Sequence, residues 1–170
     1  MKKTNYCDRL EKLSEKVCVS VGQALGGKEI SDIACECDKL VSEIEKELFF
    51  DFMPQHDREG IAALVHGLCR IVYVAEEISL QKRIGAQKGA NGENCILLAK
   101  KLDENVRLLK NISAPGVMPS ADEFRKLYRE GGKGSQRGIY GGATFLATDK
   151  LRDEIYRCFD ILVEVMLANI

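Results

Sequence analysis

The sequence predicts an all-α fold, an antiparallel bundle of six helices. Apolar residues recur at helical spacing over most of the chain, and the period-two alternation of a half-buried strand is almost absent. Only 3 prolines occur in 170 residues, and the glycine-rich and proline-containing stretches fall between the periodic segments. Short connections of that kind favour antiparallel neighbours.

The first helix is predicted from Thr4 to Ala24, with Leu10, Leu13, Val17 and Val21 on one face. Gly26 and Gly27 end it, as glycine does at helix C-termini. The second is predicted from Lys28 to Phe50, with an apolar stripe of Ile30, Ile33, Cys37, Leu40, Val41, Ile44 and Leu48. Pro54 stops it, and Asp57 is placed to cap the third helix. That third helix carries Ile61, Leu64, Val65, Leu68, Ile71, Val72, Ala75 and Ile78 and ends near Ile84. The polar stretch GAQKGANGEN is the main linker.

A fourth helix, Gly92 to Ile112, is predicted to bury Ile96, Ala99, Leu102, Val106 and Leu109. SAPGVMPS forms a loop, and Ser120 with Glu123 has the spacing of a capping box that opens helix five. The sixth helix is predicted from Thr148 to the C-terminus, with Leu151, Ile155, Phe159, Leu162, Val163 and Met166 inward.

Composition narrows the function. The chain is 45% hydrophobic and 30% charged with a net charge of −1, which fits one core-forming domain spanning 1–170. No clustered basic surface is available for nucleic acid. No window approaches the ~20 apolar residues of a membrane span, and the start lacks an apolar leader segment, so a cytoplasmic protein is expected. Seven cysteines at 7, 18, 35, 37, 69, 95 and 158 contain no C-x-x-C pair and have no histidine at zinc-site spacing. They read as free thiols used as small hydrophobes.

The segment ELFFDFMPQHDREGIAALVHGLCRIVYVAEE, Glu47 to Glu77, is the most distinctive. A phenylalanine-rich helix end, Pro54, the triplet Asp57-Arg58-Glu59 and a helix carrying Leu68, Ile71 and their neighbours resemble the centre of the PhoU-like phosphate-transport regulators, in the branch found beside phosphate permeases. The resemblance covers most of the chain and is strongest over 30–80 and 148–168. It implies two three-helix repeats, halves 1–85 and 86–170. It also implies a non-enzymatic accessory protein that modulates inorganic phosphate uptake by contact with a membrane permease, with a homodimer compatible with that role. In the repeat register, Ala34, Asp38 and Phe49 correspond to Glu130, Gly134 and Phe145.

The family typically carries acidic pairs four residues apart on helices two, three, five and six. Residues at that spacing share a helix face, and facing pairs suit a hard divalent cation. Here the pairs become Ala34/Asp38, Cys69/Tyr73, Glu130/Gly134 and Asp160/Glu164, and Gly60 replaces a further family aspartate. The metal-ligand candidates are therefore Asp38 in the first half and Glu130, Asp160 and Glu164 in the second. No cluster is expected around Asp38, Cys69 and Tyr73, because one carboxylate and a phenol are too few oxygen ligands. The alternative function is a divalent-metal-binding helical bundle using the second-half carboxylates, which stand otherwise as a solvated face paired with Arg157 or Lys150. A di-metal enzyme is disfavoured by the lack of Glu-x-x-His ligands.

Gly131, Gly132, Gly134, Gly138, Gly141 and Gly142 crowd the fifth helix. Each costs about 1 kcal/mol against alanine in a helix interior. Two readings stand: a continuous helix offering a side-chain-free stripe for close packing, or a break near 131–135. GGKGSQRG fails as a phosphate-binding P-loop, because Leu127 holds the first glycine position and Gly134 follows Lys133 where Ser or Thr is needed. His66 and Cys69 lie three apart on one helix, where packing is the first reading and thiolate activation the second.

Overall fold

The computed structural model describes residues 6–50, 57–85, 92–111, 117–135 and 143–168. Pro54, His56, Gly89, Arg137, Gly138, Gly141 and Gly142 lie outside the described residues. Six α-helices run in order, α1 Tyr6–Leu25, α2 Ser31–Phe50, α3 Arg58–Gly85, α4 Gly92–Val106, α5 Ala121–Ser135 and α6 Ala143–Leu167. A 3₁₀ turn, Arg107–Asn111, extends α4. Among the described residues there is no strand.

Local chemistry explains most boundaries. The end of α1 is a Schellman motif: Gly27 has φ +73°, Lys28 N–H donates to Gln23 C=O at 3.0 Å, and Gly27 N–H donates to Ala24 C=O at 2.9 Å. Only glycine takes that φ without strain. Asp57 caps α3 as expected, its Oδ2 accepting Gly60 N–H at 2.8 Å. The capping box at Ser120 does not form. Ser120 N–H donates instead to Asn105 Oδ1 at 2.9 Å, and Glu123 pairs with Lys101 at 3.1 Å. Asn105 is 2% exposed and needs partners for its amide, so a buried tertiary contact outcompetes the local one.

Two further boundaries differ from expectation. The α-helical part of α4 stops at Val106, and α6 begins at Ala143, five residues before Thr148. Phe145 therefore belongs to α6, whereas its counterpart in the repeat register, Phe49, closes α2.

Helices α3 and α6 form the central seam. They run antiparallel: Gly60 meets Val165, Gly67 meets Cys158, and Glu77 meets Lys150. Helix α1 packs on α2, α3 and α4, and α4 packs on α1, α5 and α6. The layout is a four-helix core of α1, α3, α4 and α6, with α2 outside α1 and α3, and α5 outside α4 and α6. Leu10, Leu13, Val17, Leu64, Leu68, Ile71, Leu98, Ile155, Phe159 and Leu162 are all essentially inaccessible. Burying such side chains stabilises by about 1.5–3 kcal/mol each relative to exposure. Ile33, Leu40, Val41, Ile96 and Val163, also predicted inward, are only partly buried at the edges of the stripes.

The α3–α6 approach depends on Gly67. A Cβ there would sit 3.1 Å from Cys158 Sγ and 3.6 Å from Cys158 Cα. The second is ordinary contact, but the first is tighter, so the buried Cys158 side chain must give by a few tenths of an ångström. Gly67→Ala is expected to destabilise by about 1–3 kcal/mol, the range for overpacking a filled core. Urea denaturation followed by circular dichroism would check it, and an unchanged midpoint would contradict the seam.

Candidate functional site

The outer helix α2 and its neighbour α3 bring Asp38, Cys69 and Tyr73 together. Tyr73 Oη donates to Asp38 Oδ1 at 3.3 Å across the helix pair. Cys69, one turn before Tyr73 on α3, is buried beneath them, and its thiol is pushed up to about 11 by burial, then by the charges of Asp38 and Glu45. His66 turns away from Cys69 to Glu45, with Nε2 3.3 Å from Oε1. A desolvated thiol facing carboxylates is a poor nucleophile, so thiolate activation has no support in this geometry. Among the described residues no three His, Cys, Asp or Glu side chains are grouped to hold a metal ion.

Gly60 has a packing role. Val165 Cγ2 lies 2.9 Å from where a Cβ would stand, so the C-terminal turn of α6 occupies the space a larger side chain would need.

The second-half carboxylates do not converge. Phe124 stacks on Phe159 at 3.8 Å, and Tyr128 Oη donates to Asp153 Oδ1 at 2.9 Å. That antiparallel register puts Glu130 level with Arg152. At ~1.5 Å of rise per residue, Asp160 then lies about 12 Å further along the bundle and Glu164 further still. Glu130 and Glu164 are exposed and Asp160 is half-buried. Sequence spacing set Asp160 and Glu164 on one face, but the position of Glu130 depended on the interhelical register, which spacing does not contain. Arg157, a candidate neutraliser, reaches Glu154 at 3.4 Å instead.

A different polar cluster occupies the α4–α5–α6 junction, and the sequence reading missed it. Arg152 is 12% exposed, lies 3.2 Å from Asp149 and sits 5.3 Å over the Tyr128 ring. The Arg152–Asp149 contact has ion-pair distance without hydrogen-bond alignment, and Arg152 Nε and Nη1, Asp149 Oδ1 and Asn94 Oδ1 are buried with no hydrogen-bond partner. Burial raises the Asp149 carboxyl, with Arg152 opposing. Asn94 Nδ2 donates to Leu127 C=O at 2.8 Å, and its Oδ1 lies 2.1 Å from where a Gly131 Cβ would stand. The glycine at 131 thus serves close packing on α4, and the helix continues through Gly131, Gly132 and Gly134 to Ser135. A glycine run in an otherwise good helix was the one sequence signal for this junction.

The other exposed chemistry is apolar. Antiparallel packing collects the ends of α2 and α6 and the start of α5 at one end of the bundle. There Phe49 and Phe50 are 78% and 80% exposed, and Met118 and Leu167 are each 54% exposed. No helix among the described residues is long and apolar enough to cross a membrane. Comparison with protein-family models finds no match, and no curated protein matches the chain.

The thiols yield a pH prediction. Burial raises Cys95 and Cys37 from 9.0 to about 12, and Cys7 and Cys69 to about 11. A folded-state pKa above the unfolded one favours folding below the unfolded value, and that advantage is lost as pH rises toward the folded one. Stability is therefore expected to fall between pH 9 and about 11. Urea midpoints at pH 8 and pH 10 test this. Alkylation at pH 8 should modify exposed Cys35 first and leave buried Cys95 and Cys158 intact until unfolding.

Proposed function

We propose that this chain is a PhoU-like accessory protein that modulates inorganic phosphate uptake through contact with a membrane permease. The reading rests on the residues from Glu47 to Glu77 that resemble the family, and the all-α six-helix architecture is compatible with it. The observation that carries it furthest is the apolar end. Phe49 and Phe50 are almost fully exposed beside the helix start capped by Asp57. Two adjacent exposed phenylalanines, with Met118 and Leu167 at the same end, suit a protein contact better than solvent. A contact-based role also suits a chain whose family acidic positions are held by Gly60, Cys69 and Tyr73.

The test is co-purification with a tagged phosphate permease, for the unaltered chain and for a Phe49→Ser/Phe50→Ser double variant. Both side chains are exposed, so the helical signal and urea midpoint of the variant should stay within about 0.5 kcal/mol of the parent. Permease capture and the effect on phosphate uptake should drop at least tenfold. Equal capture by both chains would remove the apolar end from the proposal. No capture by the unaltered chain, with phosphate uptake unchanged on its deletion, would end it.

A further inference from the structure

We infer that the last turn of α5, Gly131–Ser135, is a latch that opens while the rest of the bundle stays folded. Opening exposes a polar site made by Asn94, Asp149 and Arg152. Three observations meet at this turn. Gly131, Gly132 and Gly134 give it the weakest helix propensity in the described bundle. Its backbone lies directly over polar atoms that are poorly satisfied. Asn94 Oδ1 is 2.1 Å from the Cβ position of Gly131, and Arg152 Nη1 is 3.9 Å from that of Gly132. Asn94 Oδ1 and Arg152 Nε are buried without a hydrogen-bond partner, and Arg152 Nη1 has only its ion pair with Asp149 Oδ1 at 3.2 Å. In the closed form Asn94 Oδ1 and Arg152 Nε forgo their bonds to water, and in the open form they regain them.

The fastening is also shared. In a helix the Leu127 carbonyl accepts from the Gly131 N–H, and here the same oxygen also accepts from Asn94 Nδ2 at 2.8 Å, which ties α5 to α4 just before the latch. The other half of α5 is anchored. Phe124 is 0% exposed and stacked on Phe159, and Tyr128 is bonded to Asp153. The boundary between fixed and releasable helix therefore falls just after Tyr128. Opening further exposes a guanidinium, a carboxylate and an amide that the closed helix partly covers. Local opening of this kind is drawn from the least stable parts of a fold.

Hydrogen exchange on the full chain, resolved by mass spectrometry, tests the latch. Amides of Glu130–Ser135 should exchange at least tenfold faster than those of Phe124–Tyr128. They should also outpace the last turn of α3, Lys82–Gly85, which Lys82 and Arg83 tie to Leu25 C=O and Glu29. Gly132→Ala meets Arg152 Nη1 at an ordinary contact distance of 3.9 Å. It should slow opening about fivefold, the equivalent of the helix cost of glycine against alanine. Gly131→Ala collides with Asn94 and should speed opening. Exchange in the latch as slow as in Phe124–Tyr128 would overturn the inference. So would rates unmoved by Gly132→Ala, or slowed by Gly131→Ala, as the helix propensity of alanine alone would give.

Discussion

The close antiparallel approach of α3 to α6 is the constraint on which the rest of the structure depends. At Gly67 the absence of a side chain lets Cys158 come within contact of the α3 backbone, and at Gly60 the same absence admits Val165. With that seam set, α1 and α4 each find a complementary face beside it, and the two pack on one another as well. The interior of the seam is apolar, from Leu64 and Leu68 on one helix to Ile155 and Leu162 on the other, with Arg70–Glu154 and Glu77–Lys150 ion pairs along its edge. A polar or larger residue at Gly67 would therefore disturb four helices together, since close-packed interiors transmit strain.

The two outer helices are held by different chemistry. Helix α2 has few fully buried residues and is tied to α1 by exposed ion pairs, Arg9 with Glu43 and Glu47, and Lys16 with Glu36. Such pairs are screened by salt and contribute little each. Helix α5 is pinned by aromatic stacking at Phe124 and Tyr128 and then runs out over polar ground at Arg152. In neither does this chain assemble a group of ligands among the described residues. What it offers instead is an exposed phenylalanine pair on one side and a concealed polar junction on the other. Recognition at the first would be by contact, and access to the second would depend on motion of the helix above it.

Helix number, helix type and the core faces were legible in the sequence because they depend on local periodicity. The stripe of Leu10, Leu13, Val17 and Val21 becomes buried in full, and Gly27 and Asp57 end and start helices as their own backbone chemistry requires. A signal written within a few residues survives folding when no tertiary partner competes for it. Where one competes, it prevails, as at Ser120, whose amide goes to the buried Asn105 rather than to Glu123.

Interhelical register was decided by the tertiary structure alone. Spacing put Asp160 and Glu164 on one face, yet only the stacking of Phe124 on Phe159 set Glu130 apart from them. The same holds for the orphaned atoms of Arg152, Asp149 and Asn94, which come from two helices some fifty residues apart and meet under the glycines of a third. Amino-acid order determines which face of each helix avoids water. It does not determine how far one face slides along another, because that depends on how all the side chains at the contact fit at once. The fold class could therefore be read from the sequence, and the makeup of the polar junction could not.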